Sequence, residues 1–215
     1  MERTECLMSQ KDIAKILLNV GAVELSPNDP FTWASGIQSP IYCDNRLTMS
    51  DPAGRKQIAE GLAQLIRSHF PETTLVAGTA TAGIPHAAWV ADILGLPMVY
   101  IRSKAKGHGR SKQIEGKASA SDKAVIIEDL ISTGGSSLNA VEALRSEGVE
   151  VTGVVSIFTY ELASADTAFS EAGLIYKSLT NFGSLAEAAV ESGAISNESM
   201  DGLLKWHGKL KEGLL

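Results

Sequence analysis

Cysteine is scarce: Cys6 and Cys43 are the only two in 215 residues. They lie in unlike settings with no metal-type spacing, which excludes a disulfide framework and a cysteine zinc site. Excess positive charge is missing as well. With 19 Lys and Arg against 25 Asp and Glu, a net charge of −6, the chain lacks the field that wholesale binding to nucleic acid or anionic membrane requires. No apolar run approaches the roughly 20 residues of a membrane span. The opening Met1-Glu-Arg-Thr-Glu-Cys6 lacks the apolar core of a secretory signal, so the expected address is cytoplasmic. Aromatic residues make up 6% of the chain, and no Phe, Trp or Tyr stands in its one basic cluster, residues 102–117. That cluster is a poor base-stacking surface and a good clamp for a polyanion. Internal repeats and low-complexity stretches are absent.

What is present is ordinary for a soluble enzyme: 44% hydrophobic and 20% charged residues, enough for one substantial core plus a small lid. Ser9 caps a predicted helix over 10–20, with Ile13, Ile16, Leu17 and Val20 on one face. Short strands broken by Pro27, Pro30, Gly36 and Pro40 predict a β-rich lid over 22–47. Asp51-Pro52 opens a helix that ends before Pro71. From Thr74 the pattern alternates, with strands expected at 75–77, 98–101, 124–127, 151–158 and 174–177 and helices at 85–94, 136–147 and 163–172. This predicts right-handed βαβ units and a mostly parallel α/β sheet. Gly107, Gly109 and Gly116 among lysines predict a mobile loop before the third strand. Two more helices, separated near 193–197, close the chain. The expected organisation is one domain overall: helix and hood over 1–50, a core over 51–182 and packing helices over 183–215.

The stretch Ala124-Val-Ile-Ile-Glu-Asp-Leu-Ile-Ser-Thr-Gly-Gly-Ser-Ser137 carries the most chemistry. Its continuous apolar start reads as a strand covered on both faces, which places Glu128 and Asp129 at the strand's carboxyl end, where open α/β sheets bind ligands. Ser132, Thr133, Gly134, Gly135, Ser136 and Ser137 then offer amides and hydroxyls at a helix amino terminus, a ready anion site. Carboxylates that accept from sugar hydroxyls beside a phosphate cradle suit a ribose 5-phosphate. The small residues of Gly78-Thr-Ala-Thr-Ala-Gly83 would let a ligand's oxygens approach the backbone, although the same string serves as a tight strand-to-helix connection. Arg102, Lys106 and His108 set a fork donor, a point charge and a switchable imidazole in one span. His69, His86 and His207 have no evident partners in sequence and read as surface or packing residues; Trp89 and Trp206 read as core or interface.

The Glu-Asp-Leu-Ile-Ser-Thr-Gly-Gly-Ser string resembles the phosphoribosyl pyrophosphate signature of the type I phosphoribosyltransferases. Phe31-Thr-Trp-Ala-Ser-Gly-Ile-Gln-Ser-Pro-Ile-Tyr-Cys-Asp-Asn-Arg46, residues 78–85 and Arg102-Ser-Lys-Ala-Lys-Gly-His-Gly109 are similar to the hood, pyrophosphate loop and catalytic loop of that family's orotate-using branch. The resemblance implies the type I fold with an N-terminal hood, and transfer of a 5-phosphoribosyl group from phosphoribosyl pyrophosphate to orotate in pyrimidine synthesis. It implies Mg2+ as cofactor with no direct protein ligand, no nucleic-acid or membrane partner, and a homodimer sharing the catalytic loop between subunits. Lys106, His108 and Asp129 become the expected catalytic residues. Arg102, Lys106, His108, Glu128, Asp129, Leu130, Ile131, Ser132, Thr133, Gly134, Gly135 and Ser136 would bind phosphoribosyl pyrophosphate. Departures from the enterobacterial form occur at Ala34, Thr81, Ala82 and Ser103, where that form carries Lys, Tyr, Lys and Lys, and at Tyr160, where it carries the orotate-binding Arg. Ser132 and Arg46 are then the candidates for orotate's carboxylate, with an Asp44 ion pair as the alternative use of Arg46. A purine or other base as acceptor, and a regulator that senses phosphoribosyl pyrophosphate on the same fold, are the competing readings.

Overall fold

The computed structural model describes residues 8–32, 36–103 and 113–214. Its centre is a six-stranded sheet in the order β10-β9-β8-β5-β6-β7. These strands are β5 (Leu75–Thr79), β6 (Met98–Ile101), β7 (Ile114–Glu115), β8 (Lys123–Ile131), β9 (Glu150–Thr159) and β10 (Ile175–Asn181). All pairings are parallel except β6 with β7. Alternation along the strands feeds two cores. Val76, Val125, Ile127, Val155 and Ile157 face one layer, while Leu75, Ala77, Ala124, Ile126 and Val154 face the other. A sheet buried on both faces explains why these strands read as continuous apolar runs. Each fully buried aliphatic side chain contributes about 1.5–3 kcal/mol relative to its exposed state.

The first layer holds α1 (Gln10–Asn19), α2 (Pro52–His69), α3 (Gly83–Leu94), α6 (Phe182–Glu191) and α7 (Asn197–Lys211); the second holds α4 (Gly135–Ser146) and α5 (Ala163–Glu171). Local chemistry starts the helices where expected. Ser9 and Asp12 form a reciprocal capping box on α1, and Asp51 caps α2 with Pro52 in its first turn. The hood contains two separate ribbons: β1 (Val23–Leu25) with β4 (Ile41–Cys43), and β2 (Phe31–Thr32) with β3 (Gln38–Ser39). A 3-10 helix, Asn45–Ser50, joins the hood to α2. Among the described residues, no helix is long and apolar enough to cross a membrane.

Two strand ends need correction. The third core strand does not stop at Ile127, and the acids do not follow it. β8 runs to Ile131, because Glu128, Leu130 and Ile131 continue to pair with Ser156, Phe158 and Thr159 of β9. It is β5 that ends here: its pairing with β8 stops at Gly78 opposite Ile127. The acids therefore stand just past the β5–β8 ladder, with Glu128 beside Thr79, while still inside β8. Likewise β10 extends to Asn181, well past the expected 177, held by its ladder with β9.

Candidate active site

Where β5 stops, its last residue meets the first acid of β8. Thr79 Oγ1 donates to Glu128 Oε1 at 2.6 Å and also reaches the Ile127 carbonyl at 3.1 Å. Glu128 Oε2 accepts from Ser136 Oγ at 2.7 Å and Ser137 Oγ at 3.1 Å, and the Asp129 amide donates to Oε1 at 3.2 Å. Glu128 is only 5% exposed. A buried carboxylate must have its lone pairs occupied. Here hydroxyls from the last residue of β5 and the first turn of α4 occupy them, so Glu128 ties the end of β5 to the start of α4.

Two helices open beside this carboxylate, and neither has a side-chain cap. The N-cap of α3 is Ala82 and that of α4 is Gly134. By contrast α1, α2, α6 and α7 are capped by Ser9, Asp51, Asn181 and Ser196; α5, whose N-cap is Leu162, is uncapped too. Uncapped N–H groups with the positive end of the helix dipole behind them suit an anion. Gly134 has φ of 83° and an added Cβ would meet Phe169 at 2.8 Å, so the tight turn into α4 demands glycine. At Gly83 an added Cβ would come within 2.5 Å of both the Ile127 carbonyl oxygen and Thr79 Oγ1. That glycine serves close packing of α3 on the sheet, the second of the two uses the sequence left open. The Ala80–Thr81 peptide, in the loop before α3, is cis.

Asp129 lies beside this network, partly exposed. Burial first, and then the charge of Glu128, push its carboxyl up from 3.8 to about 7. The hood closes over it. Asn45, 1% exposed, donates from Nδ2 to the Asp129 carbonyl at 2.8 Å. Cys43 approaches Asn45 Oδ1 at 3.5 Å, and its thiol is pushed up by burial and then by Asp129. Cys43 in turn acts on the buried Tyr160, which follows β9 and is raised first by its own burial. Asp129, Asn45, Cys43 and Tyr160 thus form one wall between hood and core.

The other expected residues are distributed as follows. Ser132, Thr133, Gly135 and Ser136 are accessible around the start of α4, whereas Leu130 is half-buried and Ile131 is buried, both inside β8. The Ile131 side chain lies in the core, so Ile131 can offer a ligand backbone only. Arg102 follows β6, and its Nη1 lies 3.6 Å from Glu115 Oε1 on β7. Gln113 donates its side-chain amide to the Arg102 carbonyl at 2.8 Å, closing the base of the loop. Lys106 and His108 lie outside the described residues. Arg46 is held by Asp44, Nε to Oδ1 at 2.6 Å and Nη2 to Oδ2 at 2.8 Å, which is the alternative use the sequence allowed. Sequence reading placed Thr79 and Ser137 in the two candidate loops without foreseeing that both meet Glu128, and it missed Asn45. The only local signal for Asn45 was its place in the hood string.

This carboxylate pair stands between two uncapped helix starts, and the chain that carries it is a phosphoribosyltransferase by its sequence profile. The sequence profile of the phosphoribosyl transferase domain matches residues 49–173. Curated relatives refine the class: the orotate phosphoribosyltransferase of Enterococcus faecalis is 61% identical over 196 residues, covering 91% of this chain and 93% of that protein. That of Halalkalibacterium halodurans is 60% identical over 197 residues, covering 92% and 94%. The crystal structure of orotate phosphoribosyltransferase from Aeropyrum pernix superposes with a TM-score of 0.72 at 27% identity, covering 86% of this chain and 99% of that one. The chain belongs to the orotate phosphoribosyltransferase family.

Proposed function

We propose that this chain transfers the 5-phosphoribosyl group of phosphoribosyl pyrophosphate to N1 of orotate, giving orotidine 5′-phosphate and pyrophosphate. The observation that carries this reading is the uncapped start of α4 beside Asp129: an anion seat and a carboxylate in one turn. Amides and hydroxyls of residues 132–136 would seat the 5-phosphate. Asp129 would accept from a ribose hydroxyl and, once ionised, would stabilise the positive charge that develops on the sugar as the anomeric C–O bond breaks. Glu128 already receives four donors, so its part is to hold Thr79 and Ser136 in place rather than to reach the sugar. Arg102, Lys106 and His108 would neutralise the departing diphosphate, letting it go when the loop opens. Orotate's N1 is acidic and needs no strong base, so catalysis rests on positioning and electrostatics.

The donor set suits Mg2+ that arrives with the diphosphate. Among the described residues no group of three His, Cys, Asp or Glu could cage a metal, and Glu128 is fully engaged, which leaves Asp129 as the one acid of the pair able to turn toward it. When bound, the ion would offset charge on the leaving group. With Arg46 paired to Asp44, the hydroxyl and amide of Ser132 are the anchor we assign to orotate's carboxylate. We further read the active form as a cytoplasmic homodimer. The deciding experiment follows orotate consumption with phosphoribosyl pyrophosphate and magnesium supplied together and singly. Consumption should require both; turnover of adenine or hypoxanthine in place of orotate would overturn the reading.

A further inference from the structure

Adjacent residues on the last helix reach two different parts of the site. Trp206 Nε1 donates to the Gln38 carbonyl on hood strand β3 at 3.0 Å, and His207 Nε2 lies 2.6 Å from the carbonyl of Tyr160. A carbonyl only accepts, so the His207 proton sits on Nε2. Both rings lean on Phe182, which is fully buried. His207 stacks on it at 4.0 Å with 14° between planes, and Trp206 lies 6.1 Å from it. Phe182 also neighbours Tyr160 at 6.5 Å. The outer hood ribbon, β2 with β3, pairs through only two residue pairs, too short a ladder to fix its own position. Gln38 spends its side chain inside that ribbon, donating from Nε2 to Thr32 Oγ1 at 2.9 Å. Trp206 adds an anchor from outside the hood to the contacts of Phe31 with Tyr42 and of Ser39 with Ile41.

We infer that α7 is a strap for the base-binding side of the site, in which Trp206 and His207 are positioning residues that fix the hood relative to the Tyr160 wall. Neither touches the reacting atoms. The inference rests on the proposed orotate reaction for its kinetic consequence: the hood and Tyr160 wall border the acceptor, whereas the phosphoribosyl pyrophosphate seat is built from β5, β8, α3 and α4, which α7 does not hold.

Trp206→Phe and His207→Leu keep a bulky apolar side chain and lose one N–H each; His207→Gln restores an N–H. Losing one such hydrogen bond should raise the Michaelis constant for orotate roughly three- to tenfold. That for phosphoribosyl pyrophosphate should stay within about twofold, and His207→Gln should return toward the parent. Amide hydrogen exchange, which needs no substrate, should quicken over 27–40 in Trp206→Phe while α4 and β8 stay protected. Unchanged orotate dependence with unchanged hood exchange overturns the strap, as does a matched rise in both constants that tracks lost thermal stability. If the parent fails to consume orotate, the proposed function falls, and hood exchange alone then decides the strap: quickening confined to 27–40 supports it and unchanged exchange overturns it.

Discussion

Two neighbouring carboxyls in this site stand in different surroundings. Glu128 is ringed by Thr79, Ser136, Ser137 and the Asp129 amide. Asp129 is partly exposed, and its carboxyl rises from 3.8 to about 7, first through desolvation and then through the charge of Glu128. Asp129→Asn keeps the shape and removes the charge, so turnover should fall roughly 10²-fold or more while the fold persists. A parent-like maximal rate would remove Asp129 from the mechanism. The same substitution bears on stability. An acid whose pKa is higher folded than unfolded holds its proton in the native state between 3.8 and about 7, so its contribution is present below that window and lost as pH rises through it. Asp129→Asn should therefore gain on the parent as pH goes from 4 to 8 in denaturant titrations of the ligand-free protein. A gap that does not change with pH would show that Asp129 is not the titrating group.

At the scale of elements, the site is made by strands and helices of unequal length meeting at one level. β5 ends at Thr79 and β8 continues to Ile131, which leaves a step in the sheet where α3 and α4 begin. The step works only if α3 approaches β8 closely. Gly83→Ala would drive a methyl into the Ile127 carbonyl and Thr79 Oγ1, both at 2.5 Å. We expect a loss of about 1–3 kcal/mol in unfolding free energy, with catalytic loss beyond it because Thr79 braces Glu128. Gly135→Ala is the control, since an added Cβ there meets only Thr133 Oγ1 at 4.0 Å. Equal stability of the two variants would refute close packing as the reason for Gly83.

For the whole molecule, the carboxylate pair stands at the step in the sheet, while the hood and the last helix reach it or its neighbours from separate parts of the chain. If the active form is a dimer whose loop serves the partner's site, mixing Lys106→Ala protein with Asp129→Asn protein should restore activity after subunit exchange, because some mixed dimers then hold one intact composite site. Each parent variant alone should stay poorly active. Demonstrated exchange without recovered activity would place the loop in its own subunit's site.

The sequence by itself determined what depends on neighbours along the chain. Apolar runs set the buried strands, Ser9 and Asp51-Pro52 set helix starts, and the 128–137 string put acids, glycines and hydroxyls close together along the chain, because these follow from local dihedral preferences and periodicity. Tertiary structure decided which groups meet across the chain. The acid run Glu128-Asp129 reads as a strand end, yet pairing with β9 carries β8 onward to Ile131, since ladder bonds outweigh local composition. Likewise Thr79 finds Glu128, Asn45 finds the Asp129 carbonyl and His207, unremarkable in sequence, finds Tyr160. Such partners are fixed by strand order and by the packing of hood and α7 on the core. A local pattern shows which face a residue presents, whereas the group it meets there depends on how distant segments are brought together.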